Sequence, residues 1–275
     1  MALRRKIQQW FTDSAENSAT KPKSDIIAPK YTLKDWNWLH PELQTWQYWQ
    51  QMTLNTSNLL NQSFEELGDG IYRISIFEQD WYQKWSKEFQ GLHLWMQKYH
   101  IQSEAPNSMH NYGLIASELG IDQTLQLWVQ RHAHHITQSL FPEFESLDHC
   151  HGFFVHYGKD SDQSLGFHAD DSEITFNFCL GQDFQGSELY FQGRRCFEHL
   201  QSPHHPHEEM IIEHIPGTCI VHAGLHRHGV YPIQTGRRQN FILWAKSHPF
   251  RKQFQRNQCS DWCGHRNELR QVKPQ

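Results

Sequence analysis

Gly166-Phe167-His168-Ala169-Asp170-Asp171-Ser172-Glu173-Ile174-Thr175-Phe176-Asn177-Phe178-Cys179-Leu180 is the stretch from which the rest of the chain can be read. From Ile174 onward apolar and polar residues alternate. Ile174, Phe176, Phe178 and Leu180 fall on one face of a strand, and Thr175, Asn177 and Cys179 on the other. The apolar face needs a cover. Directly before the strand, His168 and Asp170 present an imidazole and a carboxylate two residues apart, a pair that can clamp a metal ion at a strand edge. Such triplets are cheap in a chain with 21 His and 30 Asp+Glu in 275 residues, about two by chance. Three occur, but His40-Pro41-Glu42 sits at a helix start and His207-Glu208-Glu209 in a His/Pro-rich loop, so only His168-Ala169-Asp170 leads into an alternating run. Taken alone, the run is equally compatible with a half-buried strand whose polar face meets water, so the downstream sequence must decide.

Some sixty residues later, His222-Ala223-Gly224-Leu225-His226-Arg227-His228-Gly229-Val230-Tyr231-Pro232-Ile233-Gln234-Thr235-Gly236-Arg237-Arg238 brings a second imidazole cluster. Two histidines and one aspartate form the facial set that holds iron(II) with three positions open. An arginine beyond it can grip the far carboxylate of a dicarboxylic cosubstrate through a two-pronged contact. His222, His226 and His228 share a face in a continuous strand, so alternation cannot choose among them.

The intervening and flanking sequence has the matching texture. After Cys150, short strands separated by turn formers are expected at 151–157, 172–180, 188–192, 210–213, 218–222, 229–233 and 238–245, the spacing of an all-β sandwich or barrel. Before it the pattern is mainly helical. A mobile tail is expected over 1–30 and a helical region over 31–145. Within that region lie a Leu43/Trp46/Trp49/Met52 stripe, a short strand at 71–76, a Phe77/Trp81/Trp85/Phe89 stripe, and a helix from Asp122 carrying Leu125, Trp128, His132, Ile136 and Leu140. His132, His134 and His135 on that helix read as solvated or capping residues rather than ligands. The fold expected is mainly β with an α-helical N-terminal half. Residues 146–250 form a double-stranded β-helix (jelly roll, cupin-like), covered by helices on the outer face of one sheet, and 251–275 form a C-terminal tail.

His168-x-Asp170 followed by His228-Gly229-Val230-x-Pro232-Ile233-x-x-Gly236-x-Arg238 resembles the iron- and 2-oxoglutarate-dependent dioxygenases of the prolyl 4-hydroxylase type, in which a basic residue follows the distal histidine by ten positions. Counted back from Arg238, that spacing singles out His228 over His226 and His222. A wider set resembles a narrower group, the 2-oxoglutarate and iron-dependent oxygenase domain-containing proteins: Pro106-Asn107-Ser108-Met109-x-Asn111-Tyr112-Gly113, His151-Gly152-Phe153-Phe154-Val155-x-Tyr157, Gly186-x-Glu188-Leu189-Tyr190-Phe191 and Trp244. These motifs keep order and spacing over about residues 105–265.

The resemblance implies that His168, Asp170 and His228 hold iron and that Arg238 holds the distal carboxylate of 2-oxoglutarate. It also implies Tyr157 as a cosubstrate contact; Thr175 and Asn240, on the polar faces of strands that would bracket the site, are further candidates. Gly229, often acidic in prolyl hydroxylases, and Cys179, a tyrosine in some relatives, depart from the pattern. The implied activity is oxidative decarboxylation of 2-oxoglutarate to succinate, coupled by dioxygen to hydroxylation of a protein side chain or small molecule, with L-ascorbate restoring over-oxidised iron. The rival reading is a cupin-like sensor that binds metal and 2-oxoglutarate without turnover.

Composition narrows the field further. A formal net charge of −5 gives no basic footprint for nucleic acid and no polybasic surface for anionic lipid. Neither a signal-peptide start nor an apolar window long enough to span a bilayer is present, so a cytoplasmic protein with reduced cysteines is expected. Of the six cysteines, Cys150, Cys179, Cys196 and Cys219 sit singly in apolar or strand-like segments and read as small hydrophobes. Cys259-Ser260-Asp261-Trp262-Cys263 with His265 supplies three irregularly spaced ligands, which do not by themselves close a tetrahedral zinc site. The His204-His205-Pro206-His207-Glu208-Glu209 loop reads as a solvated excursion between strands, the alternative being a substrate lid that flanks the site mouth.

Overall fold

A computed structural model describes residues 64–75, 83, 105–117, 122–144, 146–181, 183–253, 259 and 261–265. In chain order these form strands β1 (Glu65–Gly68), β2 (Ile71–Ile74) and β3 (Gly113–Ile115), then helix α1 (Asp122–Trp128), a π-helical turn (Val129–Ala133) and helix α2 (His134–Leu140). Strands β4 (His149–Gly158), β5 (Leu165–His168), β6 (Ile174–Cys179), β7 (Phe184–Gly186), β8 (Leu189–Arg194), β9 (Glu209–Ile212), β10 (Cys219–Ala223), β11 (His226–Val230) and β12 (Ile233–Lys246) follow, and helix α3 (His248–Gln253) comes last.

The larger sheet runs β1-β2-β10-β6-β12-β4-β3 with β7 paired to β12, and the smaller runs β5-β11-β8-β9. Neighbouring named strands are antiparallel. From β4 onward the chain passes back and forth between the two sheets, as in a jelly roll.

The alternation in β6 is realised as two different cores. Ile174, Phe176, Phe178 and Leu180 join Phe154, Val221, Phe241 and Leu243 on the outer face of the larger sheet, packed under Leu125, Trp128, Val129, Ala133 and Ile136. Trp128 meets Phe176 edge-on at 5.4 Å and Phe178 at 6.3 Å, which settles the α1–α2 segment as the cover. On the inner face, Ile71, Phe153, Val155, Tyr157, Ile220, Ile242 and Trp244 pack against Leu165, Leu189, Phe191, Ile212 and Val230. The first cluster fixes the helices and the second closes the sheets.

The expected helical N-terminal half is corrected in part. Residues 65–74 form a hairpin whose second strand, β2, is the strand expected at 71–76 and pairs with β10, extending the larger sheet; the unexpected strands are Glu65–Gly68 and Gly113–Ile115, an edge strand beside β4. Among the described residues before Leu140, helix is confined to Asp122–Leu140 apart from Gln83. The 1–30 tail and the Leu43/Trp46/Trp49/Met52 and Phe77/Trp81/Trp85/Phe89 stripes lie outside the described residues, as do the side chains of His132, His134 and His135.

The strand expected at 229–233 is divided. Pro232, which has no N–H to donate, falls between β11 and β12, so pairing stops at Val230 and resumes at Ile233. β3, β5 and β7 are too short to show a period, and the reading by alternation passed over them.

Candidate active site

β5 and β11 are adjacent in the smaller sheet, with His168 opposite His228 in register, while Phe191 of β8 flanks His228 on its other side. Asp170 follows β5 and is set by backbone contacts. Its N–H donates to Gly224 O at 2.8 Å, and the Gly224 N–H donates to Glu173 O at 2.9 Å. A Cβ at Gly224 would lie 2.0 Å from Ser172 O, so only glycine lets the β10–β11 turn approach this closely.

The imidazole and carboxylate groups converge. His168 Nδ1 contacts Gly166 O at 2.8 Å and His228 Nδ1 contacts His226 O at 2.9 Å. A carbonyl can only accept, so both rings carry their proton on Nδ1 and turn Nε2 inward. Those Nε2 atoms lie 3.3 and 3.7 Å from the Asp170 carboxylate. One ligand atom from each of the three residues fits within 4.8 Å of the others.

Burial opposes charge on Asp170, but His228 and His168 outweigh it and hold the carboxyl well below the usual carboxylate range. Burial pushes His228 down to about 3, leaving a neutral ring with a free lone pair. At His168 burial acts the same way, but the hydrogen bond and charge of Asp170 overcome it and raise the ring. Two inward imidazole nitrogens and one carboxylate form the donor set that suits iron(II).

The other two histidines of the segment sit differently. His222, on β10 opposite Thr175, has Nε2 4.0 Å from Asp170 Oδ2 but stands outside the three-residue cluster. His226 packs its ring edge-on against Phe191 at 5.1 Å. Thr175 donates to Asp170 Oδ2 at 2.6 Å and contacts Ser172 Oγ at 2.8 Å, so its hydroxyl orients the carboxylate.

Arg238, on β12 opposite Tyr157 of β4, is fully buried. Its guanidinium donates to the backbone carbonyl of Ser187, to Ser187 Oγ at 3.0 Å, to Asn240 Oδ1 at 2.9 Å and to His214 Nδ1 at 2.8 Å. Tyr157 lies under it, 5.4 Å from ring centroid to guanidinium. These polar partners are neutral: burial and the neighbouring Arg238 push His214 well below its ordinary value. Among the described residues no carboxylate lies within ion-pair distance of Arg238, which leaves a buried cation in want of an anion.

Asn240 in turn donates to Asn177 Oδ1 at 2.5 Å, joining β12 to β6. A cleft runs between the sheets, lined among others by His168, Asp170, His228, Tyr157, Thr175 and Asn240. It also touches Met109 and His110 from the Pro106–Gly113 segment.

The structure brings His168, Asp170, His228, Tyr157, Thr175 and Asn240 to one cleft and sets Arg238 against Tyr157 and Asn240 outside its lining, and three further residues join them. His110 Nε2 meets Tyr157 Oη at 3.0 Å while its Nδ1 lies 3.1 Å from Asn107 Oδ1, and burial lowers the ring to about 4. His110 fell at an unmarked position inside a motif that was otherwise noticed. His214 and Ser187 flank Arg238 from loops and carry no periodic signal. The reading of the 204–209 loop also changes: Glu208 forms two 2.7 Å contacts with buried Arg195 and accepts the His205 N–H at 2.7 Å, so this acidic residue is tied down rather than solvated. At Gly229 a Cβ would lie 2.2 Å from Tyr190 Oη, a physical reason for the departure from an acidic residue there.

Residues 25–146 match the OGFOD2-like domain family. The protein ICU11 of Arabidopsis thaliana, a 2-oxoglutarate and iron-dependent oxygenase domain-containing protein, is 41% identical over 74% of this chain and 52% of its own length. The similarly described CP2 of the same plant is 34% identical over 76% of this chain and 54% of its length. The human 2-oxoglutarate and iron-dependent oxygenase domain-containing protein 2 is 32% identical over 64% of this chain and 49% of its length. The chain thus spans about half the length of these curated relatives.

Proposed function

We propose that this chain, similar to the 2-oxoglutarate and iron-dependent oxygenase domain-containing proteins, is a hydroxylase of the iron(II)- and 2-oxoglutarate-dependent dioxygenase class. His168, Asp170 and His228 hold the iron, and Arg238 binds the distal carboxylate of 2-oxoglutarate. The observation that carries this reading is that a two-histidine, one-carboxylate donor set in the cleft is accompanied by a fully buried guanidinium that rests on two of the cleft's lining residues, Tyr157 and Asn240, and has only neutral polar partners. A metal alone would explain the first and not the second. A dicarboxylate that chelates at one end and pairs at the other explains both.

Bound iron(II) supplies the redox chemistry by which 2-oxoglutarate, dioxygen and a C–H bond become succinate, carbon dioxide and a hydroxylated product. The chain supplies geometry. Asn240 and His214 aim the Arg238 fork, Tyr157 offers its hydroxyl beside the cosubstrate, and His110 fixes that hydroxyl. Thr175 holds Asp170 by its second oxygen. Phe153, Leu189, Val230, Ile242 and Trp244 line the cleft and limit water in it. L-ascorbate returns over-oxidised iron to the ferrous state, and the prime substrate is a protein side chain or a small molecule.

The test is conversion of 2-oxoglutarate to succinate by iron(II)-loaded protein with ascorbate. It is followed by a search for products heavier by one oxygen atom after incubation with cell extract. Folded, iron-loaded protein that forms no succinate in either setting overturns the proposal.

A further inference from the structure

Outside the lining of the cleft, four more metal-type ligands meet. Cys196 follows β8 and His199 lies in the 3-10 turn Phe197–His199, whereas Cys259 and Cys263 come from the C-terminal segment. Cys196 Sγ is 3.0 Å from His199 Nδ1, and Cys263 Sγ is 4.0 Å from Cys196 Sγ and 3.9 Å from His199 Nδ1. With Cys259 included, the four ligand atoms all lie within 4.8 Å of one another. A tetrahedral zinc with Zn–S bonds of about 2.3 Å separates its sulfurs by roughly 3.8 Å, so these spacings need only small adjustment.

We propose that Cys196, His199, Cys259 and Cys263 form a structural zinc site that fastens the C-terminal segment to the loop after β8. Three sulfurs and one imidazole nitrogen are a soft donor set that selects zinc over the iron(II) expected at the nitrogen-and-oxygen set in the cleft. Four protein ligands close the coordination shell, which makes the role structural.

Three thiolates around Zn(II) leave one negative charge in a buried setting, and cations stand ready for it. Arg227 is buried and donates to the backbone carbonyls of Gly193, Gln192, Leu200 and Ser202, with no carboxylate within ion-pair distance among the described residues. It is also near enough to Cys263 for their charges to interact. Arg195, likewise buried, holds Glu208. The C-terminal segment docks against that pair so closely that a Cβ on Gly264 would lie 2.1 Å from Arg195 Nη1.

The sequence reading of the tail is revised accordingly. Its two cysteines find their partners in Cys196-x-x-His199, about sixty residues upstream, and His265 stacks on His199 at 4.0 Å instead of joining the four. The loop so fastened also touches the cleft's framework, because the Arg195 N–H donates to Leu225 O immediately before β11, the strand of His228.

Elemental analysis of the full chain, produced with zinc and without strong chelator, is expected to give one zinc per chain in addition to any iron. The His168→Ala variant should lose iron and keep that zinc, so this test stands apart from the oxygenase reading. Cobalt(II) exchanged into wild type should develop thiolate-to-metal charge-transfer absorption, lost in Cys259→Ser, whose partly exposed position spares the core. If cysteine variants fail to fold, the cobalt spectrum of wild type still decides. Folded wild type with less than about a tenth of a zinc per chain and no such absorption overturns the proposal, as does a Cys196–Cys263 disulfide found in the native protein by mass spectrometry.

Discussion

Replacing Thr175 with valine asks whether one hydroxyl sets the metal affinity of the cleft. The ionised Asp170 carboxylate can only accept, so the single Thr175 proton goes to its Oδ2 at 2.6 Å, and Ser172 must donate to Thr175 at 2.8 Å. Valine keeps the volume and removes the relay. A hydrogen bond to a charged acceptor contributes about 1.5–3 kcal/mol. Loss of an outer partner of a metal ligand usually weakens metal binding about 10–100-fold, which is about 1.4–2.7 kcal/mol. The two ranges overlap, so iron(II) or manganese(II) affinity, measured by anaerobic calorimetry, is expected to fall by one to two orders of magnitude in Thr175→Val. Thr175→Ser, which keeps the hydroxyl, should stay close to wild type. Circular dichroism would separate a local effect from unfolding, since valine also takes the Thr175 contact away from the buried Ser172 hydroxyl. A folded Thr175→Val with wild-type metal affinity would refute the relay and return Thr175 to a direct role toward the cosubstrate.

For Arg238→Ala, apparent 2-oxoglutarate affinity should drop by about 2–5 kcal/mol while iron remains bound, because a desolvated charge pair loses one member; unchanged affinity measured by calorimetry would move the anchor elsewhere. His228→Ala should lose both iron and turnover, whereas His222→Ala and His226→Ala keep iron, as read by metal content of the folded proteins. A full equivalent of iron in His228→Ala would displace it from the ligand set. Trp128→Ala should cost about 3–5 kcal/mol in urea unfolding, since the ring packs edge-on against both Phe176 and Phe178. A loss under about 1 kcal/mol would mean that the α1–α2 cover contributes little to the fold.

What could be read from the sequence was whatever repeats or clusters along the chain. The period of two from Ile174 to Leu180 announced a strand with unlike faces, and both faces are used as the alternation requires. The His-x-Asp step and the ten-residue interval from His228 to Arg238 were visible because each is a short fixed interval along the chain, although the second crosses from β11 to β12. Hidden were residues whose role depends on a loop reaching across the molecule. His214 stands 24 residues from Arg238 in sequence but 2.8 Å from it in space, and Cys196 is 67 residues from Cys263 at a separation of 4.0 Å. No local period encodes such a meeting. Of the hairpin at 65–74, the strand expected at 71–76 could be read, but its partner Glu65–Gly68 could not, for a related reason: a four-residue edge strand is specified by the β2 edge it completes, not by its own pattern.

The division of labour between the sheets gives the cleft its logic. His168 and His228 come from neighbouring strands of the smaller sheet, while Tyr157, Thr175, Arg238 and Asn240 come from β4, β6 and β12 of the larger one. Asp170 belongs to neither; it sits in the β5–β6 link, held through Gly224 and Thr175 to elements on both sides. The distance between a metal set on one layer and an anion anchor on the other is then governed by the packing between the sheets. Phe153, Val155, Ile220 and Ile242 meeting Leu189, Phe191 and Val230 act as the spacer that sets it. A ligand chelated at one end and paired at the other must match that spacing. On the proposed function, Val155, Ile220 and Phe191, which lie behind the lining, would therefore contribute to its selection, because a close-packed core resists the shift that a longer or shorter dicarboxylate would demand.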